Sequence, residues 1–385
     1  NILLVNTMDK VNIRKYRVKG IKKIFPKWRI KNRSIVKKTN DKKVIKHLDN
    51  KIFELENQDL IIDNVAFISL PENFSISECP NVAIRLLKNI YWAGKNENVN
   101  KLVFNYEKCK KVGLSADAIM NVIVISLSQY RKRNKSPINI VKQIVKNKLV
   151  SDILYTKQEI NFVNFTYKII NENKIKPFEM VIGECNSKEK KSDIVATDMT
   201  EYFDKCLKTQ GMELNLEGKA SLARILGEVI DNCEIHGGED STWYTQGYYK
   251  IMEKESYGEM QLVFLNLGDT IYEGLKHHSS EETKQRLEHI LKCHEENMSE
   301  RWNEETIYTL FALQQGISRL RNSEVEGYGE RGTGTVKLIE QMHAIGETIR
   351  GGHMPKMTVV SGRTYISFSG LYKMQSMKFK DDPVF

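Results

Sequence analysis

Between Ser221 and Gly237 the chain reads SLARILGEVIDNCEIHG, and two sets of residues in it recur at helical spacing. Leu222, Ile225, Leu226, Val229, Ile230 and Cys233 make one apolar side. Glu228, Asn232 and His236 are four residues apart, so they share another side with a drift of about 40° per step. Gly237-Gly238 supplies a C-terminal stop. The stretch predicts a helix that buries one side and presents a carboxylate, an amide and an imidazole on another. Such a set suits proton transfer or metal coordination. An ordinary amphipathic helix showing polar groups to water accounts for the same pattern.

A chain of 385 residues has room for two or three domains, and a composition of 41% hydrophobic and 28% charged residues is that of a globular protein. No apolar run approaches the length of a membrane span, so no membrane insertion is expected. The opening NILLVNTMDK is too briefly apolar for a signal peptide. The six cysteines are scattered with no C-x-x-C pair, which predicts reduced core thiols in a cytoplasmic protein. The net charge of +10 is uneven. Residues 1–50 carry sixteen Lys or Arg against three acidic residues, and residues 131–148 carry seven basic residues and no acidic one. Clustered positive charge attracts nucleic acid or acidic protein surfaces, while a solvated lysine bias is the plainer explanation.

Along the chain, residues 1–60 read as a basic arm or small subdomain. Residues 61–149 read as strand, helix, strand, helix: an α/β unit. In it, Val82, Leu86, Leu87 and Ile90 are expected to form the buried side of the first helix, and Ser115 is a candidate N-cap of the second. Residues 150–200 connect this unit to a second domain over 201–380. There, STWYTQGYYKIMEK and GEMQLVFLNLGDTI read as successive strands, and residues 271–320 as mostly helical. Two short strands joined at Ser361-Gly362-Arg363 close the domain. His277-His278 and His294 read as surface of the helical stretch, since nothing is spaced to complete a metal site with them.

Gly327-Tyr328-Gly329-Glu330-Arg331-Gly332-Thr333-Gly334 precedes a predicted helix beginning at Thr335. Its glycines permit close approach of the backbone, and amides leading into a helix N-terminus can cradle phosphate. The spacing is not that of a P-loop, and no apolar strand leads directly into it as a dinucleotide fingerprint requires.

The order of three pieces resembles the GHKL ATPase fold, shared by gyrase, heat-shock chaperone, histidine-kinase and mismatch-repair ATPases. The asparagine-box helix is matched by Glu228 and Asn232, with His236 where kinases often keep a histidine. The first glycine box, a strand ending in Asp-x-Gly-x-Gly, is matched by Asn266, Gly268 and Thr270. The second glycine box is matched by Gly327 to Gly334, and the closing strands by Ser361-Gly362-Arg363-Thr364. The resemblance covers about 180 residues. It implies an α/β protein whose C-terminal domain is a two-layer α/β sandwich of the GHKL (Bergerat) type. Residues 61–149 more loosely resemble a STAS domain, through Leu102-Val103-Phe104, the turn Val112-Gly113-Leu114-Ser115 and the helix after it.

The resemblance further implies ATP and Mg²⁺ as cofactors. Asn232 would hold the ion, Glu228 would polarise the attacking water, and the amides of Gly329, Arg331, Gly332, Thr333 and Gly334, with Gly327, would hold phosphates. Lys337 or Arg331 would add positive charge, and Thr364 would lie in the closing segment. Asn266 replaces the aspartate that accepts a hydrogen bond from adenine, Asp269 is the possible substitute, and Thr270 replaces the second glycine. The implied activity is an ATP-hydrolysing switch acting through a protein partner, a homodimer or nucleic acid. Bacterial anti-phage defence or stress signalling is its expected setting by analogy. A histidine or anti-sigma type protein kinase and a nucleotide-dependent interaction protein without turnover are the alternatives.

Overall fold

The computed structural model describes residues 2–6, 44–46, 48–49, 61–142, 175–185, 191–238, 241–251, 258–300, 302–313 and 356–368. They form a mixed α/β protein. In chain order come strands β1 (Ile2–Asn6), β2 (Ile61–Ile62), β3 (Val65–Ser69) and β4 (Asn73–Phe74), then helix α1 (Pro80–Lys95). Strands β5 (Lys101–Asn105) and β6 (Lys111–Val112), helix α2 (Leu114–Arg133), and strands β7 (Asn139–Lys142) and β8 (Ile175–Glu184) follow. Next are helices α3 (Ser192–Lys208) and α4 (Leu216–His236), and strands β9 (Thr242–Ile251) and β10 (Gly258–Asn266). Helices α5 (Ile271–His278), α6 (Glu281–His294) and α7 (Glu304–Ala312), and strands β11 (Lys356–Ser361) and β12 (Thr364–Phe368), complete the order. No helix among the described residues is long and apolar enough to cross a membrane.

Contacts divide the chain into two compact units, each discontinuous in sequence. One comprises residues 19–182 and 244–267, the other residues 1–18, 183–243 and 268–385. In the first, β2 and β3 form an antiparallel hairpin pairing Ile62 with Val65. Asp63 and Asn64 occupy its turn with φ of 48° and 64°, the left-handed pair that a two-residue hairpin of this twist requires. Strands β3, β5 and β7 then run parallel and adjacent in sequence order. Right-handed crossovers between such strands put both connecting helices on one face, and α1 and α2 accordingly pack together. Strands β8, β9 and β10, in that order, lie mostly in the same unit, and α2 also packs against β10.

Burial on several sides explains the composition of α2. Leu114, Met120, Val122, Ile123 and Leu127 are buried at positions all round the helix, and a helix apolar all round is a core helix. Helix α1 has a single buried side, through Ala83, Leu87, Ile90 and Tyr91. Val82, expected on that side, is instead exposed, because the face that meets the core is set one position further along. Ser115 is not the N-cap of α2: Gly113 holds that position, and Ser115 is buried inside the first turn with no hydrogen-bond partner for its hydroxyl.

Two findings bear on the basic stretches. Residues 2–6 are a strand paired with β11, and Val44, Ile45 and Leu48 are buried helical positions of the first unit, with the Tyr91 hydroxyl donating to Asp49 at 2.7 Å. Parts of the expected arm are thus built into the fold, and the cations between residues 10 and 43 lie outside the described residues. Arg131, the first residue of the second run, is 1% exposed. Its guanidinium donates to the carbonyls of Gly94, Asn96 and Val99 at 2.7–3.0 Å, to Ser136 O through Nε at 2.7 Å, and to Ser136 Oγ at 2.9 Å. Arg131 therefore ties the end of α1 to the end of α2 and is not available to a polyanion. Burial also pulls the Lys142 ammonium down to about 8. Lys132, Arg133 and Lys135 remain exposed, and residues 143–148 lie outside the described residues.

In the second unit, β11 pairs antiparallel with both β1 and β12, and α3 packs along α4. Helix α3 begins within the expected connecting segment, at Ser192. It is fastened to α4 through Asp204, whose side chain is 6% exposed. Asp204 Oδ2 lies 2.8 Å from both Lys208 Nζ and Lys219 Nζ, and Oδ1 accepts from the Leu214 amide at 2.9 Å. Burial acts to raise the Asp204 carboxyl, but the bonds from Lys208, Lys219 and the Leu214 amide outweigh it and hold it below the usual carboxylate range.

Replacing Arg131 by Met leaves several buried carbonyls unpaired. Urea denaturation should show a loss of about 3 kcal/mol or more, which Arg131→Lys does not restore because an ammonium lacks the planar fork. For Asp204, the folded carboxyl titrates below its unfolded counterpart, so its contribution is present above a pH of about 3.9 and is lost as pH falls through the folded value. Asp204→Asn should therefore destabilise near neutral pH, with the difference from wild type shrinking below that range in pH-dependent thermal melts.

Candidate functional site

The C-terminal end of α4 and the turn that follows β10 meet at backbone level. Asn215 starts α4 by accepting from the Gly218 amide at 2.7 Å. Leu222, Leu226, Val229 and Ile230 are buried, in line with the expected apolar side, and the helix runs on to His236. Glu228, Asn232 and His236 are all half-buried. The rise of a helix puts Asn232 about 6 Å and Glu228 about 12 Å back along the axis from His236. Past the helix, the Gly237 carbonyl accepts from the Asp269 amide at 3.0 Å. Gly268 lies so close that a Cβ there would fall 1.5 Å from the Gly237 oxygen and 2.5 Å from Ser241 Oγ. Only glycine fits that approach. The Asp269 carboxylate lies over Gly238, whose φ is +83°.

Asn266 ends β10 and is 2% exposed. Thr270 starts α5 as the N-cap of a capping box: its hydroxyl accepts from the Glu273 amide at 3.1 Å, and the Glu273 carboxylate accepts from the Thr270 amide at 2.8 Å. Its φ of −70° is open to any residue. Thr270 is therefore a helix start, and the backbone at this point makes no demand for the glycine expected from the family pattern.

The start of α5 is joined to the hairpin of β11 and β12. Ser361 Oγ accepts from the Ile271 amide at 2.8 Å. Gly362, with φ +57°, and Arg363 form the turn, and the Arg363 amide donates to Glu305 of α7 at 2.7 Å. Thr364 is buried at the start of β12, its hydroxyl 3.5 Å from that of Thr306. The structure thus brings the α4 end, Gly268, Asp269 and Thr270, and the Ser361–Thr364 turn into one chain of contacts. Glu228 lies further back along α4. Gly327, Gly329, Arg331, Gly332, Thr333, Gly334 and Lys337 lie outside the described residues.

His277 and His278 are exposed on α5, as expected, with His278 Nε2 3.8 Å from Asp269 Oδ2. His294 packs against the Trp302 ring at 5.6 Å between centroids. No three His, Cys, Asp or Glu side chains gather into a metal-holding group among the described residues. The Cys185 thiol donates to the Cys233 carbonyl at 3.2 Å and lies 3.2 Å from Ser241 Oγ. Burial pushes the Cys233 thiol up to about 12, so it stays protonated and serves packing.

Glu305 and Glu234 escaped the sequence reading. Glu234 is 3% exposed on α4, where Lys191 N donates to it at 3.4 Å. The partner of Glu305 is 58 residues away, and no local spacing signals such a pair.

Gly268→Ala drives a methyl into backbone, which cannot swing aside as a side chain would. Loss of several kcal/mol is expected, on the order of the severe cases of overpacking. Thermal unfolding measures it, and an unchanged midpoint would contradict the close approach described above.

Comparison with protein-family models, with curated proteins and with solved structures found no match to this chain.

Proposed function

We propose that the chain is a Mg-dependent ATP-binding and ATP-hydrolysing switch of the GHKL type. The observation that carries this reading is the backbone junction between the α4 end and the Gly268–Asp269 turn. It ties the helix bearing Glu228 and Asn232 to the turn that the sequence resemblance matches to the nucleotide base. The adjoining start of α5 and the Ser361–Thr364 turn support it further, because they bring Thr364 into the same chain of contacts.

The residues present suit the proposed cofactor. A magnesium ion on nucleotide phosphates takes most of its oxygens from phosphate and water and needs one or two protein ligands. A single half-buried amide oxygen, that of Asn232, is of the right kind. When bound, the ion neutralises phosphate charge. The role of Glu228 is to accept a hydrogen bond from water at a carboxylate oxygen and so orient it for attack at the γ-phosphorus. Asn266 offers a buried side-chain carbonyl as acceptor for an exocyclic amine. The parallel β3-α1-β5-α2-β7 arrangement supports reading residues 61–149 as a STAS-like module, through which a protein partner is engaged. Exposed Lys132, Arg133 and Lys135 leave a polyanion contact in the proposal, reduced by the loss of Arg131 from it.

Incubation with ATP labelled at the γ-phosphate tests the reading. Released phosphate is expected. Glu228→Ala should lower the rate by about a hundredfold or more while ATP still binds, and Asn232→Ala should weaken Mg-ATP binding itself. Hydrolysis that persists in Glu228→Ala removes that residue from its role. Label on a partner protein favours a kinase, and intact bound ATP an interaction protein without turnover.

A further inference from the structure

Glu305 touches none of the residues that the sequence reading assigned to chemistry, yet the hairpin turn beside them is built on it. It occupies the first turn of α7, where a carboxylate is favoured by the helix dipole. One of its oxygens accepts from the Arg363 amide at 2.7 Å. The same oxygen would lie 1.8 Å from a Cβ at position 362. The turn can therefore approach α7 only because Gly362 is glycine, a residue its φ of +57° favours as well. On the neighbouring position of α7, Thr306 is held by the Asn303 cap, which accepts from its amide at 3.0 Å. Its hydroxyl faces Thr364. On the other side of the turn, Ser361 accepts from the first amide of α5. The turn is thus fixed at three points, two on α7 and one on α5, and Glu305 makes the single charge-assisted bond among them.

We propose that Glu305 is a positioning residue for nucleotide binding, holding the Gly362–Thr364 turn on α7 so that Thr364 and the Asp269–Ile271 segment keep one arrangement; this rests on the ATP-site reading above. Glu305 acts through the turn and does not touch the nucleotide. The part of the carboxylate that holds the turn is its acceptor oxygen, with the charge strengthening the bond. Gln keeps an oxygen at the same reach, whereas Ala removes it.

The test pairs amide exchange at Arg363, read by NMR on the full chain, with titration of a fluorescent ATP analogue in the presence of Mg²⁺. In Glu305→Ala, exchange at Arg363 and the analogue's Kd should each rise about fivefold, the factor expected for one net hydrogen bond. Glu305→Gln should restore both to near wild type. Gly362→Ala, which pushes the carboxylate off the turn with Glu305 still present, should reproduce both changes. Faster exchange in Glu305→Ala with an unchanged Kd overturns the positioning role, as does an unchanged exchange rate. Failure of the wild-type chain to bind the analogue instead sinks the ATP-site reading, while the exchange rates still report whether Glu305 holds the turn.

Discussion

The bond from the Asp269 amide to the Gly237 carbonyl joins the end of α4 to the turn that leads into α5 with no side chain between them. A helix leaves its last carbonyls without intrahelical donors, and α4 hands one of them to the turn after β10. The contact is possible because Gly268, one residue earlier, presents no Cβ to the same oxygen. The direction of the last turns of α4, and hence where Asn232 and His236 face, depends on this junction at one end. At the other it depends on the Asp204 cluster that ties α3 to α4. A polar face on a helix becomes a site only when the helix is held in register with what stands opposite. Here the register is set by backbone, which no side-chain rotamer can relax.

Helices α5, α6 and α7 form a layer with its own small core, centred on Leu287, Ile290, Ile307 and Phe311. That core explains how a stretch so rich in charge folds at all: the charges lie on outer faces, as in the pair of Arg286 with Glu282, while the apolar residues recur at helical spacing. The layer is attached where α5 and α7 begin. Thr270 caps α5 and Asn303 caps α7, each accepting from one first-turn amide, those of Glu273 and Thr306. The one at Ile271 goes to Ser361. Hydrogen bonds at these helix starts thus join the layer to the β11–β12 hairpin.

Local physics made much of this readable in the sequence. The apolar residues of α4 recur every three to four positions, the strands β9 and β10 are bounded by glycine or polar turns, and the Ser361-Gly362-Arg363 turn joins two short β-rich runs. Each of these is decided within a few residues. What escaped was decided by distant partners. Arg131 looked like one more cation in a basic run, and only the carbonyls of residues 94–99 make it a core residue. Val82 looked buried because helical periodicity leaves the phase of the face uncertain by one residue when small Ala83 can serve as well. Ser115 looked like a cap because serine favours that position, but Gly113 sits there and the serine is drawn inside. Glu305 carried no signal, since its partner lies across the whole glycine segment.

Thr270 and Asn266 differ in kind as departures from the pattern that the sequence resembles. A glycine is required where φ is positive or where another backbone comes too close. At Thr270 φ is −70°, and the hydroxyl is engaged in starting α5. The substitution therefore exchanges backbone freedom for a firmer helix start, and it leaves the turn before it unchanged, since Gly268 still makes the close approach. Asn266 is different in kind, because it changes the chemistry of a buried group and not the path of the chain. An aspartate there accepts only, whereas an asparagine accepts with one atom and donates with the other. On the proposed reading, base selectivity thus depends on which way one buried amide is turned. Neighbours that fix its orientation decide the outcome more than the identity of the residue does.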